Sequence, residues 1–500
     1  MTTKAVIPAF SATSYEFATY EDAQNWIGGE WKQASLKETM EVMNPRHGKA
    51  MAKVGMSGEA DVADAVAAAK KALPEWSAMP IRERGEVLYK LRELVLRDLE
   101  ELTWLVSHEN GKIYGEAKAE VLKGVECIEY GCSLPNIAAG TQLEVSRGVN
   151  CQVTYEPLGI VAGITPFNFP FMVPFWMLPQ ALVAGNAFIL KPSEVVPLSA
   201  LKIASLLKEA GLPDGIFNIV QGGKEAVEAL CDNESIRALA FVGSTRVAKL
   251  VYGRAAQSGK SVLCLGGAKN HLIVVPDADL ELTAENVMAS YTGCAGQRCM
   301  AASVLVAVGD VQHIIDEIAN RSREITLGKE LGPVITDEAK SRIEGYIEQA
   351  KEMGADVLVD GRGQQGTDGG YWVGPTLLDN VTRDIPASCE EIFGPVLSIV
   401  RVDNLEQAIK LENSSEYGNA SSIYTTNGEV ARKMMHSVSA GMCGVNIGVP
   451  VPREPFGFGG WNHSKFGHGD ITGWDGYRFW TQPRKVTSKW ALQKDATWMS

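Results

Sequence analysis

A chain of 500 residues is too long for one compact core and suits two or three packed lobes of roughly 100–200 residues each. Apolar residues make up 45% and charged residues 21%, the balance of a soluble globular protein and not of a disordered or membrane-embedded one. Forty-seven Lys and Arg against 60 Asp and Glu leave a net charge of −13, which argues against a phosphate-tracking basic face and so against a nucleic-acid partner.

In chain order, amphipathic helices come first. Ser57 is expected to cap a helix carrying Val62, Val66 and Leu73 on one face, and a second helix is expected over 82–108, ending near Gly111. Between Pro157 and Leu190 no residue is charged, a run longer than a membrane span needs. Pro166, Pro170, Pro174 and Pro179 interrupt it, and proline removes a backbone donor and clashes with the preceding helical turn. The run therefore reads as a buried strand over 159–165, a proline-bracketed turn, a short apolar helix and a second buried strand over 187–191. No membrane span is expected.

After Lys191 the pattern alternates: helix 199–210, strand 216–220, helix 224–231, strand 238–242, helix 246–256 and strand 261–265. Short apolar strands separated by helices predict a parallel, doubly wound α/β sheet covered on both faces. The alternation restarts beyond Gly267 with strand 271–275, helix 284–291, strand 303–308 and helices over 311–325 and 337–353, a second α/β lobe. Segments 142–154 and 481–490 are polar, alternating and strand-like, and are expected to pair as a flap reaching a neighbouring subunit. The resulting division is 1–140 with 158–266 as one domain, 267–463 as the second, and 141–157 with 464–500 as the flap.

Seven His and nine Cys show neither CxxC nor His-x-x-x-His spacing, so no metal framework is expected. An odd number of scattered thiols, with no apolar signal region in MTTKAVIPAFSATSYEF, points to a reducing compartment and a cytoplasmic location.

Four strings carry chemistry. Gly296-Gln297-Arg298-Cys299 sets a thiol beside a guanidinium, which can lower its pKa and make it a nucleophile; a buried structural cysteine is the competing reading. Thr165-Pro166-Phe167-Asn168 follows a predicted strand at the edge where open parallel sheets bind ligands, and an Asn held between prolines can donate to an oxyanion or merely close a turn. Lys191-Pro192-Ser193-Glu194 suits ribose hydroxyls, or is a solvated charged turn. Gly243-Ser244 opens a helix whose free N–H groups suit an anion.

Together and in order, ITPFNFP (164–170), KPSE (191–194), FVGST (241–245), GQRC (296–299) and EEIFGPV (390–396) resemble the aldehyde dehydrogenase superfamily over nearly the whole chain. The resemblance implies an atypical Rossmann cofactor domain, a catalytic domain and an oligomerisation flap serving a dimer of dimers. It implies Cys299 as nucleophile and Asn168 with the Cys299 N–H as oxyanion donors. For NAD it implies Thr165, Phe167, Lys191, Glu194, Gly243, Ser244, Glu391 and Phe393, with Glu194 disfavouring a 2′-phosphate.

One departure separates this chain from the hydrolytic members. Where they carry Glu before Gly-Gly, this sequence reads Leu263-Cys264-Leu265-Gly266-Gly267, and neither Cys264 nor Leu265 can activate water. GAKNH (267–271) and FWTQ (479–482) are similar to the methylmalonate-semialdehyde dehydrogenase branch, in which coenzyme A releases the acyl group. That branch implies NAD-dependent oxidation of malonate or methylmalonate semialdehyde to acetyl-CoA or propionyl-CoA with loss of CO2. Arg298 and Lys123 would bind the substrate carboxylate, although Lys123 lacks the bidentate fork of an arginine, and Arg453-Glu454 lie in a loop that is usually apolar in relatives. The competing enzyme reading is a hydrolytic NAD(P)-dependent dehydrogenase using a carboxylate near Glu281 or Glu285. A non-enzymatic scaffold would not need the nucleophile, oxyanion donor and ribose residues together.

Overall fold

A computed structural model describes residues 13–366 and 369–490. The start of the chain and the end of the expected flap, 491–500, lie outside the described residues. Helix α1 (Glu59–Ala78) begins at Gly58 rather than at Ser57: the Asp61 carboxylate accepts the Gly58 N–H at 3.0 Å, while Ser57 is buried and accepts from Asn25 at 2.9 Å. The continuous helix expected over 82–108 is broken at Asp98 into α2 (Ile81–Arg97) and α3 (Leu99–Asn110). Asp98 leaves helical geometry with its carboxylate held by Arg97 at 2.7 Å and Lys202 at 2.8 Å. Gly111, at φ 90°, ends α3 in the left-handed conformation that glycine adopts without a Cβ clash. Helix α4 (Tyr114–Ile137), which carries Lys123, shows no single apolar stripe: it packs against α2, α3 and the helix α5 (Met172–Val183), and burial on several sides erases the stripe.

The uncharged stretch is the centre of the first lobe. Strands Ile160–Ile164 and Ala187–Lys191 and helix α5 between them are buried at every residue. Among the described residues no helix is long and apolar enough to cross a membrane. The 8-stranded sheet runs Glu30–Lys32, Asn25–Ile27, Phe217–Ile219, Ala187–Lys191, Ile160–Ile164, Ile236–Val242, Ser261–Leu265 and Lys465–Phe466. Its five inner strands, from Phe217–Ile219 to Ser261–Leu265, are parallel, and the pairings toward both edges are antiparallel. Of the five inner strands the central Ile160–Ile164 comes first in the chain, which then winds one way through Ala187–Lys191 and Phe217–Ile219 and returns to the other side through Ile236–Val242. The strand order therefore reverses between Ile160–Ile164 and Ile236–Val242, where a crevice opens outside the carboxyl ends.

The second lobe is a 7-stranded sheet: Asp356–Val359, Thr376–Asp379, Val396–Val402, Ala302–Val308, Asn270–Val274, Ala420–Tyr424 and Met442–Val445. Only the first of these pairs is antiparallel. The two odd segments do pair, in a 3-stranded antiparallel sheet of Thr141–Ser146, Val149–Pro157 and Thr481–Lys489. Tyr155 anchors it, edge-on to Trp474 at 5.8 Å and Tyr477 at 6.1 Å. Residues 464–480 are not part of this flap: Lys465–Phe466 closes the first sheet, and helix Gly473–Phe479 packs on α5.

Candidate active site

Two sheet edges face one another across a cavity of about 980 Å³, a size at the upper end of ligand pockets, roughly 300–1,000 Å³. The first lobe contributes carboxyl ends of its strands: Thr165, Phe167 and Asn168 after Ile160–Ile164, Lys191 and Glu194 at and after Ala187–Lys191, and Gly243 and Ser244 after Ile236–Val242. The second lobe contributes segments that precede its strands: Cys299 before Ala302–Val308, and Glu391 with Phe393 before Val396–Val402. All of these line the cavity. Lys123 and Arg298 do not.

Cys299 is half-buried, and its carbonyl accepts from the amides of Asn270 and Asn419, both at 2.8 Å. The preceding turn is tightly wound: Cys294, Ala295 and Gly296 have φ of 54°, 53° and 67°. At Gly296 a Cβ would lie 2.1 Å from the Gly394 carbonyl oxygen, so glycine lets the 390–396 loop meet the nucleophile's turn. Burial pushes the Cys299 thiol up to about 12, with the Glu391 carboxylate adding to it and Arg298 opposing. The expected lowering by the neighbouring guanidinium is therefore outweighed by burial. Iodoacetamide alkylation of Cys299 in the free protein is accordingly expected to accelerate about tenfold per pH unit from about pH 7 to about pH 10, because only the growing thiolate fraction reacts. Peptide-resolved mass spectrometry separates this from the exposed Cys389; a plateau near neutral pH would contradict it.

The Asn168 amide donates to the Gln297 carbonyl at 2.9 Å, tying the turn of the first lobe to the cysteine's segment. That turn is held from below. Lys112, buried with Glu120 in an ion pair at 2.5 Å, donates to the Asn168 carbonyl, and Glu120 accepts the N–H groups of Phe171 at 2.9 Å and Met172 at 3.2 Å. Glu116, one turn before Glu120 on α4, accepts the Cys294 N–H at 2.7 Å, and Asn110 donates to the Phe167 carbonyl at 2.9 Å. Sequence reasoning missed these residues; the signal was the four-residue spacing of Glu116 and Glu120 after Asn110-Gly111-Lys112.

At the far end Lys191 and Glu194 pair at 2.6 Å; burial works to raise the Glu194 carboxyl, but the Lys191 ammonium wins and holds it below the usual carboxylate range. Ser244 starts α8 (Thr245–Gln257; the helices Leu198–Glu209 and Lys224–Asp232 are α6 and α7) without its side chain making a capping bond. The first-turn N–H groups there suit an anion. Glu391 accepts the Ala268 N–H at 2.9 Å, and burial raises its carboxyl to about 7. A Cβ on Gly267 would come within 2.2 Å of its Oε2. Phe393, at φ 54°, sets its ring edge-on to Phe167 at 5.8 Å.

The sequence profile of the aldehyde dehydrogenase family matches residues 31–486. The chain belongs to the aldehyde dehydrogenase family. It is 44% identical over 481 residues to the malonate-semialdehyde dehydrogenase of Halalkalibacterium halodurans, covering 95% of this chain and 99% of that protein. Malonate-semialdehyde dehydrogenase 1 of Geobacillus thermodenitrificans is 44% identical over 476 residues, with 93% and 98% covered. Among solved structures, a Sinorhizobium meliloti chain assigned to methylmalonate-semialdehyde dehydrogenase and complexed with NAD superposes with a TM-score of 0.93 at 40% identity, over 96% of this chain and all 100% of that one. Methylmalonate-semialdehyde dehydrogenase from Oceanimonas doudoroffii gives 0.92 at 40% identity, over 95% and 99%. As an aldehyde dehydrogenase the chain is an oxidoreductase of two α/β lobes.

The residues expected to meet a substrate carboxylate are placed otherwise. The Arg298 guanidinium turns back over Gly293 and donates to the Ser290 carbonyl at 2.8 Å, and its buried Nε has no partner among the described residues. Lys123 pairs with Glu126 at 2.9 Å and Glu454 at 3.0 Å. Cys264 and Leu265, at the place of the missing base, are buried in strand Ser261–Leu265, and only Gly266 and Gly267 beyond them reach the cavity. Glu281 is ion-paired with Arg321 at 2.6 Å, and neither it nor Glu285 lines the cavity.

Proposed function

We propose that this aldehyde dehydrogenase uses NAD and coenzyme A to oxidise malonate or methylmalonate semialdehyde to acetyl-CoA or propionyl-CoA with loss of CO2. The observation that carries the reading is that the segment before Gly266-Gly267 brings no acid to the cavity: Cys264 and Leu265 are buried in their strand, and neither can activate water. The cavity's acids are Glu194, paired with Lys191, Glu228, paired with Arg254 at 2.7 Å, and Glu391, bonded to the Ala268 N–H. The dinucleotide fits the lining residues: Lys191 and Glu194 for one ribose, Ser244 and the α8 N-terminus for the pyrophosphate, Glu391 and Phe393 for the nicotinamide end, with Thr165, Phe167 and Gly243 along the wall. Bound there, NAD is the hydride acceptor.

On this reading the Cys299 thiolate adds to the aldehyde carbon, and the oxyanion meets the Asn168 amide and the Cys299 N–H. Loss of hydride from that carbon leaves a thioester on Cys299. The CoA thiolate attacks the thioester carbonyl, the Cys299 thiolate leaves, and the acyl group departs as its CoA thioester. A 3-oxoacyl carboxylate releases CO2 because the carbonyl accepts the electron pair as an enolate, which is then protonated. The decisive experiment supplies NAD and malonate semialdehyde with and without CoA. One NADH per Cys299 is expected without CoA, and continuous turnover to acetyl-CoA, identified by mass, with it. A free acid accumulating catalytically without CoA would establish the hydrolytic reading instead.

The flap strand Thr141–Ser146 leaves Leu143 68% and Val145 53% exposed, which supports assembly through the flap into a dimer of dimers. All nine cysteines are free, which supports a reducing, cytoplasmic setting.

A further inference from the structure

Cys294 and Ala295 open the nucleophile's turn at φ of 54° and 53°, a left-handed conformation in which a Cβ crowds the backbone. Two such residues in succession persist only where their surroundings fix them. The rest of the segment is fixed from several sides. Gly394 closes on Gly296, the Asn168 amide donates to the Gln297 carbonyl, the Gln297 side chain accepts the Ile335 N–H at 3.1 Å, and Asn270 and Asn419 hold the Cys299 carbonyl. The strained start is tied from outside by Glu116, whose Oε1 accepts the Cys294 N–H at 2.7 Å across a sequence separation of 178 residues. Its other oxygen, Oε2, is buried with no partner among the described residues. Burial raises the carboxyl above its usual range, against the Cys294 N–H and the charges of Arg298 and Lys112. A buried acceptor without a donor costs stability, so folding alone does not favour a carboxylate here.

Glu120 lies one turn further along α4, on the same side as Glu116. Through its ion pair with Lys112 and its bonds to the Phe171 and Met172 N–H groups, it holds the segment that carries Asn168. One helix therefore grips the cysteine's turn through Glu116 and the oxyanion donor's turn through Glu120. We propose that Glu116 is a positioning residue for the nucleophile, fixing the turn at 294–296 so that Cys299 stands at its working distance from Asn168. Glu116 does not line the cavity, so it acts through the backbone of the turn. The inference rests on Cys299 being the nucleophile, and it holds whether the acyl group leaves to CoA or to water.

The test is single-turnover NADH formation from malonate semialdehyde or propanal, with NAD saturating and CoA left out, in the wild type, E116A and E116Q. E116A removes the acceptor and is expected to slow hydride transfer about 10²-fold. Its KM for NAD should move little, because the cofactor residues lie on other elements. E116Q keeps a carbonyl oxygen for the Cys294 N–H and is expected to stay near the wild type. A fall of less than about tenfold in E116A overturns the proposal, as does a fall in E116Q as large as that in E116A. Iodoacetamide should alkylate Cys299 of E116A at least as fast as in the wild type, since the thiol remains and only its aim is lost. Alkylation slowed as much as hydride transfer would mean a collapsed site and also overturns the proposal. E116M takes the place of E116A if the latter unfolds early. A wild type that forms no NADH from either aldehyde refutes the Cys299 reading itself, whereas a wild-type rate that E116A leaves intact refutes only the role of Glu116.

Discussion

Lys112→Met is expected to lower the unfolding free energy by about 3–5 kcal/mol and to slow hydride transfer. Lys112 and Glu120 are 1% and 0% exposed at their side chains, so removing the cation strands a buried carboxylate with only the Phe171 and Met172 N–H groups to compensate it. The ammonium also lies 3.8 Å from the centre of the Phe169 ring, a cation–π contact that the thioether does not replace. Urea unfolding measures the loss, and a value below about 1 kcal/mol would place the pair among the weak surface bridges. The double variant K112M/E120L separates positioning from stability. Apolar replacement of both charges should recover much of the stability, but the Asn168 carbonyl loses its donor, so kcat should stay low while KM for NAD moves little. Recovery of kcat together with stability would mean that the pair only holds the fold.

Asn168→Ala is expected to reduce kcat by about 10²–10³-fold. The amide donates to the Gln297 carbonyl at 2.9 Å and is 5% exposed, so a buried, positioned donor next to the cysteine is lost. Leaving the Gln297 carbonyl without that donor should cost only about 1–3 kcal/mol of stability, so the variant remains folded. Single-turnover NADH formation isolates the step: a fall there identifies an oxyanion donor, while a loss confined to the CoA-dependent step, or a fall below about tenfold, would leave Asn168 as a tie between the lobes.

Much of the site was legible because its pieces are local. Strand, proline turn and Asn168 lie within a short stretch of chain, as do Lys191 with Glu194 and Gly243 with Ser244, and each string sits at the end of a strand whose apolar run is visible on its own. The roles of Glu116 and Glu120 on α4 were hidden for the opposite reason: they make sense only against the turns they touch, and a helix buried on several sides has no stripe to read. The flap strands were recognisable from alternation, but Lys465–Phe466 was drawn into the flap although it pairs with Ser261–Leu265, a partner too distant in sequence for any periodicity to reveal.

By itself, then, the sequence determined the α/β class, the order of the strand-end motifs, the cysteine that follows Gly296-Gln297-Arg298 and the lack of a water-activating acid before Gly266-Gly267. Each depends on residue type and short spacing. Only the tertiary structure decided that carboxyl ends of one sheet face the amino ends of another, that burial outweighs Arg298 at the Cys299 thiol, and that Lys123 is already met by Glu454. Electrostatic and desolvation energies sum over every group that folding brings near, and those neighbours come from parts of the chain that no local pattern connects.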